Sequence, residues 1–360
     1  MISEDELGAT IGGVVLGCWR ERLGGASAMG SDTKHSPRGM LDHPGRPGKL
    51  YCGLVALCYM ALAVALLFFN KAALSSYKFP NANVITLAQL ACSNVLLYAF
   101  RKLGWVRFTD DVALIPRDCI DARSGFPTQK MFRRVAPLSA AYMVYMLLSM
   151  ASVRGVSLPM YTTLRRTTAA FTMGAEYFLA GTSQPAVVVR AVGLMVLGAF
   201  VAGLHDLEFS VVGYAYVFAN NAATAAYLAC IARYGRTSGL NSFGMMWCNG
   251  MMSLPALTTM TLLTGELQSL HNYGHLYDPD FQSVLMASCV LAFSLNYAIF
   301  LNTSLNSALT QTICGNLKDV VVILVGYHTF GGVAFDPLNF LGILLGFAGS
   351  VSYAYVKLVR

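Results

Sequence analysis

The sequence predicts an all-α polytopic membrane protein: ten transmembrane helices arranged as two inverted five-helix repeats. Three observations lead there. The 360 residues are 56% hydrophobic and only 12% charged, with a mean hydropathy of +0.55; a soluble domain carries about 25% charged residues. Apolar runs recur along the chain, each near the roughly 20 residues that cross a hydrocarbon core. Short similar stretches then recur in the two halves of the chain.

Residues 1–48 are rich in Gly, Ser, Pro and charge and read as a disordered cytosolic tail. Its short apolar run, 9–18, follows Glu4, Asp5 and Glu6. A signal peptide starts basic and a transit peptide avoids acids, so neither is expected. The membrane domain spans 49–358. Its apolar segments lie at 49–74, 82–100, 135–153, 158–180, 186–204, 211–232, 242–264, 281–301, 306–327 and 338–356.

An even number of spans puts both termini on one side, and basic residues decide which. With cytosolic termini, that side receives Arg20, Arg22, Lys34, Arg38, Arg46 and Lys49, then eight basic residues between Arg101 and Arg134, then Arg233, Arg236, Lys357 and Arg360. The far side keeps Lys71, Lys78 and Arg154, and its loops hold Asp206, Glu208, Glu266, Asp278 and Asp280.

The halves, about 49–204 and 211–357, echo each other. Leu164-Arg165-Arg166 in the fourth segment matches Leu317-Lys318-Asp319 in the ninth. Gly193 to Gly198 in the fifth matches Gly342 to Gly346 in the tenth. Five helices per half forces opposite topology, the architecture of secondary transporters. The glycines also suit helix packing alone. Gly193 to Gly203 would serve internal packing or a dimer seam, which leaves a homodimer open.

Composition excludes several classes. The net charge of +7 is spread over loops and ends, so no nucleic-acid partner is expected. The nine cysteines show no CxxC and no metal spacing, and there is no P-loop, GxSxG or HExxH. No metal, cofactor or catalytic residue is expected, and the chain reads as no enzyme.

The chemistry lies inside the apolar segments. Lys318 and Asp319 interrupt 306–330, beside Asn316 and just after Gly315. A charge at the bilayer centre costs roughly 2.5–3.5 kcal/mol on insertion scales, so it is expected to face the bundle interior or a cavity. On a helix, Gln311, Gly315 and Lys318 share one face, and Thr312, Asn316 and Asp319 a neighbouring one. A lysine in a glycine-lined polar notch suits an anion. In the fourth segment Arg165, Thr168, Thr172 and Glu176 share a face of a continuous helix. Arg165 and Glu176 would lie about 16 Å apart along its axis, so each needs a partner elsewhere.

An arginine fork matches phosphate bidentately and a lysine adds a point charge, so Arg165 and Lys318 would make a diphosphate clamp. The structural alternative pairs Arg165 or Arg166 with Asp319, and Lys318 with Glu176; Glu176 and Asp319 are expected to be structural charge partners. Asn220 and Asn221, Asn249 with Trp247, and Asn296 with Tyr297 add groups for a base or sugar. Each also reads as a helix–helix hydrogen bond. Trp247, two residues before Asn249, would wall the same pocket. Lys71, at the end of the first segment, reads equally as a contact or a helix end.

Several stretches together resemble the nucleotide-sugar transporters of the drug/metabolite transporter superfamily. They are FNKAAL (69–74), LPMYTTLRRTT (158–168), LGAFVAGLHDLEF (197–209), GLNSFGMMWCNG (239–250), NSALTQTICGNLKD (306–319) and LNFLGILLGFAGS (338–350). The pattern is most similar to the branch with UDP-N-acetylglucosamine, UDP-glucuronate and UDP-N-acetylgalactosamine carriers, and MWCNG and GNLKD resemble its plant-type UDP-N-acetylglucosamine members. The resemblance implies ten helices, cytosolic termini and a multi-pass place in the Golgi membrane or, alternatively, the endoplasmic reticulum. It implies a nucleotide sugar and a nucleoside monophosphate as exchange partners, within the lipid bilayer.

In GDP-mannose carriers the seventh helix bears Phe-Tyr-Asn-Asn and the ninth Gly-Ala-Leu-Asn-Lys. Here Trp247-Cys248-Asn249-Gly250 keeps one asparagine, and Lys318 stands where the last motif has asparagine. These departures fit uridine rather than guanine. On this reading Lys318 and Arg165 hold phosphates, Asn249 and Tyr297 meet base or ribose, Asn316, beside Gly315, meets the sugar or first phosphate, and Arg166 and Asn221 are further substrate-binding candidates. The alternatives are a GDP-sugar or sugar-phosphate carrier, a membrane enzyme on lipid-linked substrates, and a non-transporting receptor or scaffold.

Overall fold

The computed structural model describes residues 41–43, 46–71, 73–74, 77, 79, 81–109, 115, 119–121, 124–156, 158–181, 183–203, 210–270, 273–274, 276–330 and 337–359. Residues 1–40 of the expected tail lie outside this set, as do Asp206 and Glu208. The end of the tail carries a small antiparallel ribbon of β1 (Leu41–His43) and β2 (Arg46–Pro47).

Nearly everything else described is helical. In order the helices are α1 (Lys49–Lys71), α2 (Ala82–Lys102), α3 (Gln129–Gly155), α4 (Leu158–Arg165), α5 (Thr168–Ala180) and α6 (Ala186–Gly203). Then come α7 (Val211–Thr237), α8 (Ser242–Leu263), the short α9 (Glu266–Ser269), α10 (Pro279–Leu305), α11 (Ala308–Phe330) and α12 (Pro337–Val359). Every predicted apolar segment falls on helix, and the fourth is split into α4 and α5. Among the described residues five helices are long and apolar enough to cross a membrane: Lys49–Asn70, Ala82–Lys102, Ala186–Gly203, Val211–Thr237 and Pro279–Leu305. Leu341–Lys357 is a shorter apolar helix.

Burial runs opposite to that of a soluble protein. Leu54, Val95, Leu147, Phe178, Phe200 and Val351 are exposed, while Thr172, Asn220, Asn221, Ser253 and Asn302 are fully buried. Hydrocarbon as solvent leaves apolar side chains outside and sends polar ones inward to find partners.

The chain divides into two compact units, and each draws segments from both sequence halves. The first holds α1, α2, α8, α9 and α10 up to Leu301. Here GLNSFG acquires a physical reason. Gly239 turns the chain at φ 71°, a left-handed conformation that costs glycine little. Asn241 then caps α8 by accepting from Gly244 N at 2.9 Å, and its own Nδ2 donates to Arg107 O at 2.6 Å. A Cβ on Gly244 would sit 2.3 Å from Phe108 O, so only glycine lets the loop approach. Trp247 stacks on Phe108 (5.7 Å) and Tyr98 (6.4 Å) in an aromatic cluster that includes Phe126.

The second unit holds α3–α7, the end of α10, α11 and α12. Its most extensive helix pair is α6 with α12. A Cβ on Gly198 would lie 2.6 Å from Gly342 O and 2.8 Å from Gly346 N, and one on Gly342 would lie 2.4 Å from Gly198 O. The repeated glycines thus meet each other in a backbone-to-backbone seam, the packing that small residues permit in membranes. Around it Ala191, Val192, Met195, Leu309, Ile313 and Tyr353 form the core.

Gly193 has nothing within 4 Å of its would-be Cβ, although it lies on the same helix. Gly198→Leu should therefore lower the apparent Tm of the purified protein by several degrees or abolish folding, whereas Gly193→Leu should leave it within a degree or two. Equal losses from both would show that the seam is not what holds α6 to α12.

Candidate functional site

The fourth segment was expected to run as one helix past Arg165. Instead it breaks at Arg166 and Thr167, where the amides turn back to the i−3 carbonyls: Arg166 N to Thr163 O at 3.2 Å and Thr167 N to Leu164 O at 3.1 Å. No glycine or proline causes this. The break instead has side-chain partners for its backbone. Asn221 Nδ2, from α7, donates to Leu164 O and to Thr167 Oγ1, both at 3.0 Å. Thr167 Oγ1 donates to Leu164 O at 2.8 Å and Thr168 Oγ1 to Arg165 O at 2.5 Å. Asn316 Nδ2, from α11, reaches Arg166 O at 3.4 Å. In hydrocarbon such freed groups must be satisfied internally.

The interruption aims Arg166 inward. It is 3% exposed, and its Nη1 donates to Ile343 O of α12 at 3.1 Å. Gly346 forms the floor, since a Cβ there would lie 2.8 Å from Nη1. Nε and Nη2 are buried without a hydrogen-bond partner. Those two N–H groups form the side-on edge of the guanidinium, the edge that takes two oxygens of a phosphate or carboxylate. Arg165 differs: it is half-buried, with its guanidinium 5.7 Å from the Tyr161 ring centroid.

On α11, Lys318 Nζ donates to Asp319 Oδ1 at 2.6 Å, with both side chains partly exposed. Asn316 is one turn before Asp319 and buried, and Gly315 is half-buried beside it. Glu176 lies at the other end of α5. Its Oε1 accepts from Leu309 N at 2.9 Å and its Oε2 from Gln184 Nε2 at 3.1 Å, so it caps the start of α11. Lys318 therefore pairs with its chain neighbour Asp319 rather than with Glu176. Thr172 and Thr312 hydroxyls meet at 3.1 Å between α5 and α11.

Eight of the predicted residues, Arg165, Arg166, Glu176, Asn221, Gly315, Asn316, Lys318 and Asp319, thus fall in the second unit. Asn249 and Tyr297 fall in the first. Asn249 is 5% exposed with Oδ1 unpartnered, and Tyr297 stacks on Phe243 at 4.1 Å. Trp247 does not wall a pocket with Asn249: residues two apart on a helix point to nearly opposite faces, and Trp247 joins the aromatic cluster. The side chain of Lys71 lies outside the described residues.

Two polar residues, Asn94 and Gln89, were missed. Asn94 of α2 lies directly on Gly250, where a Cβ would be 2.2 Å from its Oδ1, and its Nδ2 is unpartnered. Gln89 Nε2 donates to Asn70 Oδ1 at 2.8 Å and reaches Ser288 Oγ at 3.4 Å. A lone amide in the apolar run ACSNVLL was the available signal for Asn94. Among the described residues no group of three or more His, Cys, Asp or Glu could hold a metal ion.

A broken membrane helix with a buried guanidinium, set against a glycine and a neighbouring lysine–aspartate pair, is the kind of polar intramembrane site that helical transporters build at interrupted helices. The chain belongs to the Triose-phosphate Transporter family, whose model matches residues 50–354. It is 54% identical over 304 residues to the UDP-N-acetylglucosamine transporter UGNT1 of Arabidopsis thaliana, covering 84% of this chain and 87% of that one. It is 32% identical over 305 residues to the UDP-sugar transporter sqv-7 of Caenorhabditis elegans, covering 84% and 87%. A crystal structure at 10% identity superposes with a TM-score of 0.53 over 86% of this chain and 99% of that one, a likeness of fold alone. The resemblance read from the motifs is borne out by these relatives, and the family is one of transporters, not of enzymes.

Asn221 spends its amide on the helix break. Asn221→Ala removes the donor to a buried carbonyl, a loss of about 1–3 kcal/mol. The ligand-free protein should melt several degrees earlier. An unchanged Tm would show that Thr167 alone satisfies Leu164, and would return Asn221 to the list of ligand contacts.

Proposed function

We propose that the protein is an antiporter that moves a UDP-sugar, UDP-N-acetylglucosamine or UDP-N-acetylgalactosamine, from the cytosol into the Golgi lumen in exchange for UMP. The endoplasmic reticulum is the alternative compartment. The observation that carries this reading is the unpartnered Nε–Nη2 edge of Arg166, 3% exposed in a membrane helix break. A phosphate answers both N–H groups at once. Lys318 supplies the second cation once it leaves Asp319, and Asn316, next to the break, takes the sugar or first phosphate. Arg165, on the Tyr161 ring, is the outer phosphate contact. Asn249 offers an unpartnered Oδ1 to a base or ribose, and Tyr297 an aromatic face.

The uridine assignment draws support from the relative sharing 54% of its residues, named for UDP-N-acetylglucosamine. It also draws on the absence of Phe-Tyr-Asn-Asn around Asn249. The family name favours, as a second reading, a carrier of sugar phosphates or of GDP-sugars, which shares the phosphate contacts and differs at the base. No ion gradient is required, since binding of one nucleotide and release of another drives exchange. Two inverted halves, 49–204 and 211–357, would alternate access with both termini cytosolic. A homodimer would use another face than Gly198, whose seam is filled by α12.

Uptake of a panel of nucleotide sugars into vesicles loaded with UMP or GMP tests the whole reading. UDP-N-acetylhexosamine uptake stimulated by internal UMP, with GMP ineffective, is the expected pattern; equal stimulation by both would remove the uridine assignment. Lys318→Gln should lower affinity for UMP roughly tenfold to a thousandfold, seen as a lost UMP-induced rise in Tm. A variant that melts early but keeps the full UMP shift would make Lys318 purely structural.

Topology is checked by a single cysteine at Asp278 in sealed vesicles. Labelling only after the membrane is permeabilised is expected, and labelling from the cytosolic face would invert the orientation.

A further inference from the structure

A carboxylate in a phosphate site repels the ligand, so Asp319 calls for an explanation beyond the phosphate clamp. Its Oδ1 lies 2.6 Å from Lys318 Nζ, which it neutralises. It also lies within electrostatic reach of the Arg166 guanidinium. Asn316, on the same face of α11 one turn earlier, touches the Arg166 carbonyl, which sets this face against the helix break. One acid therefore acts on both cations, paired with Lys318 and on the helix face set against the Arg166 break, and the Nε–Nη2 edge of Arg166 is unpartnered.

We propose that Asp319 is a specificity-determining residue that sets how much phosphate charge the site accepts. The inference rests on the uridine-nucleotide reading above. By cancelling one cation, Asp319 lowers the field that a bound anion meets. The penalty grows with the charge of the ligand, because Coulomb energy is proportional to it. UMP and a UDP-sugar each carry about two negative charges near pH 7, whereas free UDP, with a terminal phosphate monoester, carries about three. A site with its full cation count would favour UDP; one with Asp319 in place favours the two less charged ligands. Free UDP shares base, ribose and diphosphate with a UDP-sugar and differs from it in lacking the sugar and in carrying one more negative charge.

The test is the ratio of affinities for UDP and UMP, measured on the purified full chain by calorimetry or ligand-induced Tm shift. Wild type should bind UMP at least as well as UDP. Asp319→Asn should tighten UDP relative to UMP by about tenfold, which corresponds to about 1.4 kcal/mol, and Asp319→Glu should keep the wild-type ratio. An Asp319→Asn ratio within twofold of wild type overturns the proposal, as does equal loss of both nucleotides from a folded variant. The first result would leave the uridine reading intact.

Should Asp319→Asn not fold, Lys318→Met is compared with the double variant Lys318→Met/Asp319→Asn. The double variant should show a UDP-over-UMP ratio about tenfold above the single one, and equal ratios overturn the proposal. Wild type that binds neither nucleotide overturns the uridine reading and this inference with it.

Discussion

The site depends on one local constraint: backbone polar groups freed inside a membrane must be satisfied by the protein itself. At Arg166 and Thr167 the α-helical ladder slips to i−3 bonds, and the Thr167 side chain together with side chains of α5, α7 and α11 supplies the additional donors. Each unsatisfied carbonyl would cost several kcal/mol in hydrocarbon. Asn221 and Asn316 thus help stabilise the break, which in turn fixes where the Arg166 guanidinium points. Geometry of backbone and placement of charge are one problem here.

The glycine seam serves the same end from the other side. Gly346 belongs to α12, whose Gly342 packs on Gly198 of α6, and Gly346 also forms the floor under Arg166. A side chain at 346 would push the guanidinium off Ile343 O. Close packing of α12 against α6 therefore sets the depth of the cation. Glu176 sets α11 similarly, because its carboxylate on Leu309 N favours the positive end of that helix. From there α11 carries Asn316, Lys318 and Asp319 toward the break.

The sequence made some of this legible and hid the rest for physical reasons. Apolar run length located the helices because hydrocarbon thickness imposes it, yet α3 begins at Gln129 rather than 135. Its first two turns, with Lys130, Arg133 and Arg134, are polar and form helix where hydropathy sees none. The charges of the fourth and ninth segments were conspicuous because they are expensive there. Their pairing was not: Lys318 with Asp319 and Glu176 with Leu309 N depend on rotamers and on α5 meeting α11. The split into α4 and α5 was invisible because LRRTT contains no helix breaker; its partners on α7 and α11, Asn221 and Asn316, lie more than fifty residues away in sequence. Asn94 was readable as a lone amide in an apolar helix, but its seat on Gly250 belongs to tertiary packing.

A buried guanidinium with an unanswered edge is an unfavourable resting state, since two buried N–H donors without acceptors keep their desolvation cost. The Lys318–Asp319 pair shows the opposite economy, two charges compensated at 2.6 Å. On the exchange reading proposed above, this asymmetry has a consequence for the transport cycle. The empty carrier would have to take the open edge of Arg166 through a closed, dry intermediate, whereas the loaded carrier would take it through bound to phosphate. The loaded crossing is then the lower barrier in both directions. Coupling of outward and inward nucleotide flux would follow from that electrostatic difference, with no ion gradient invoked.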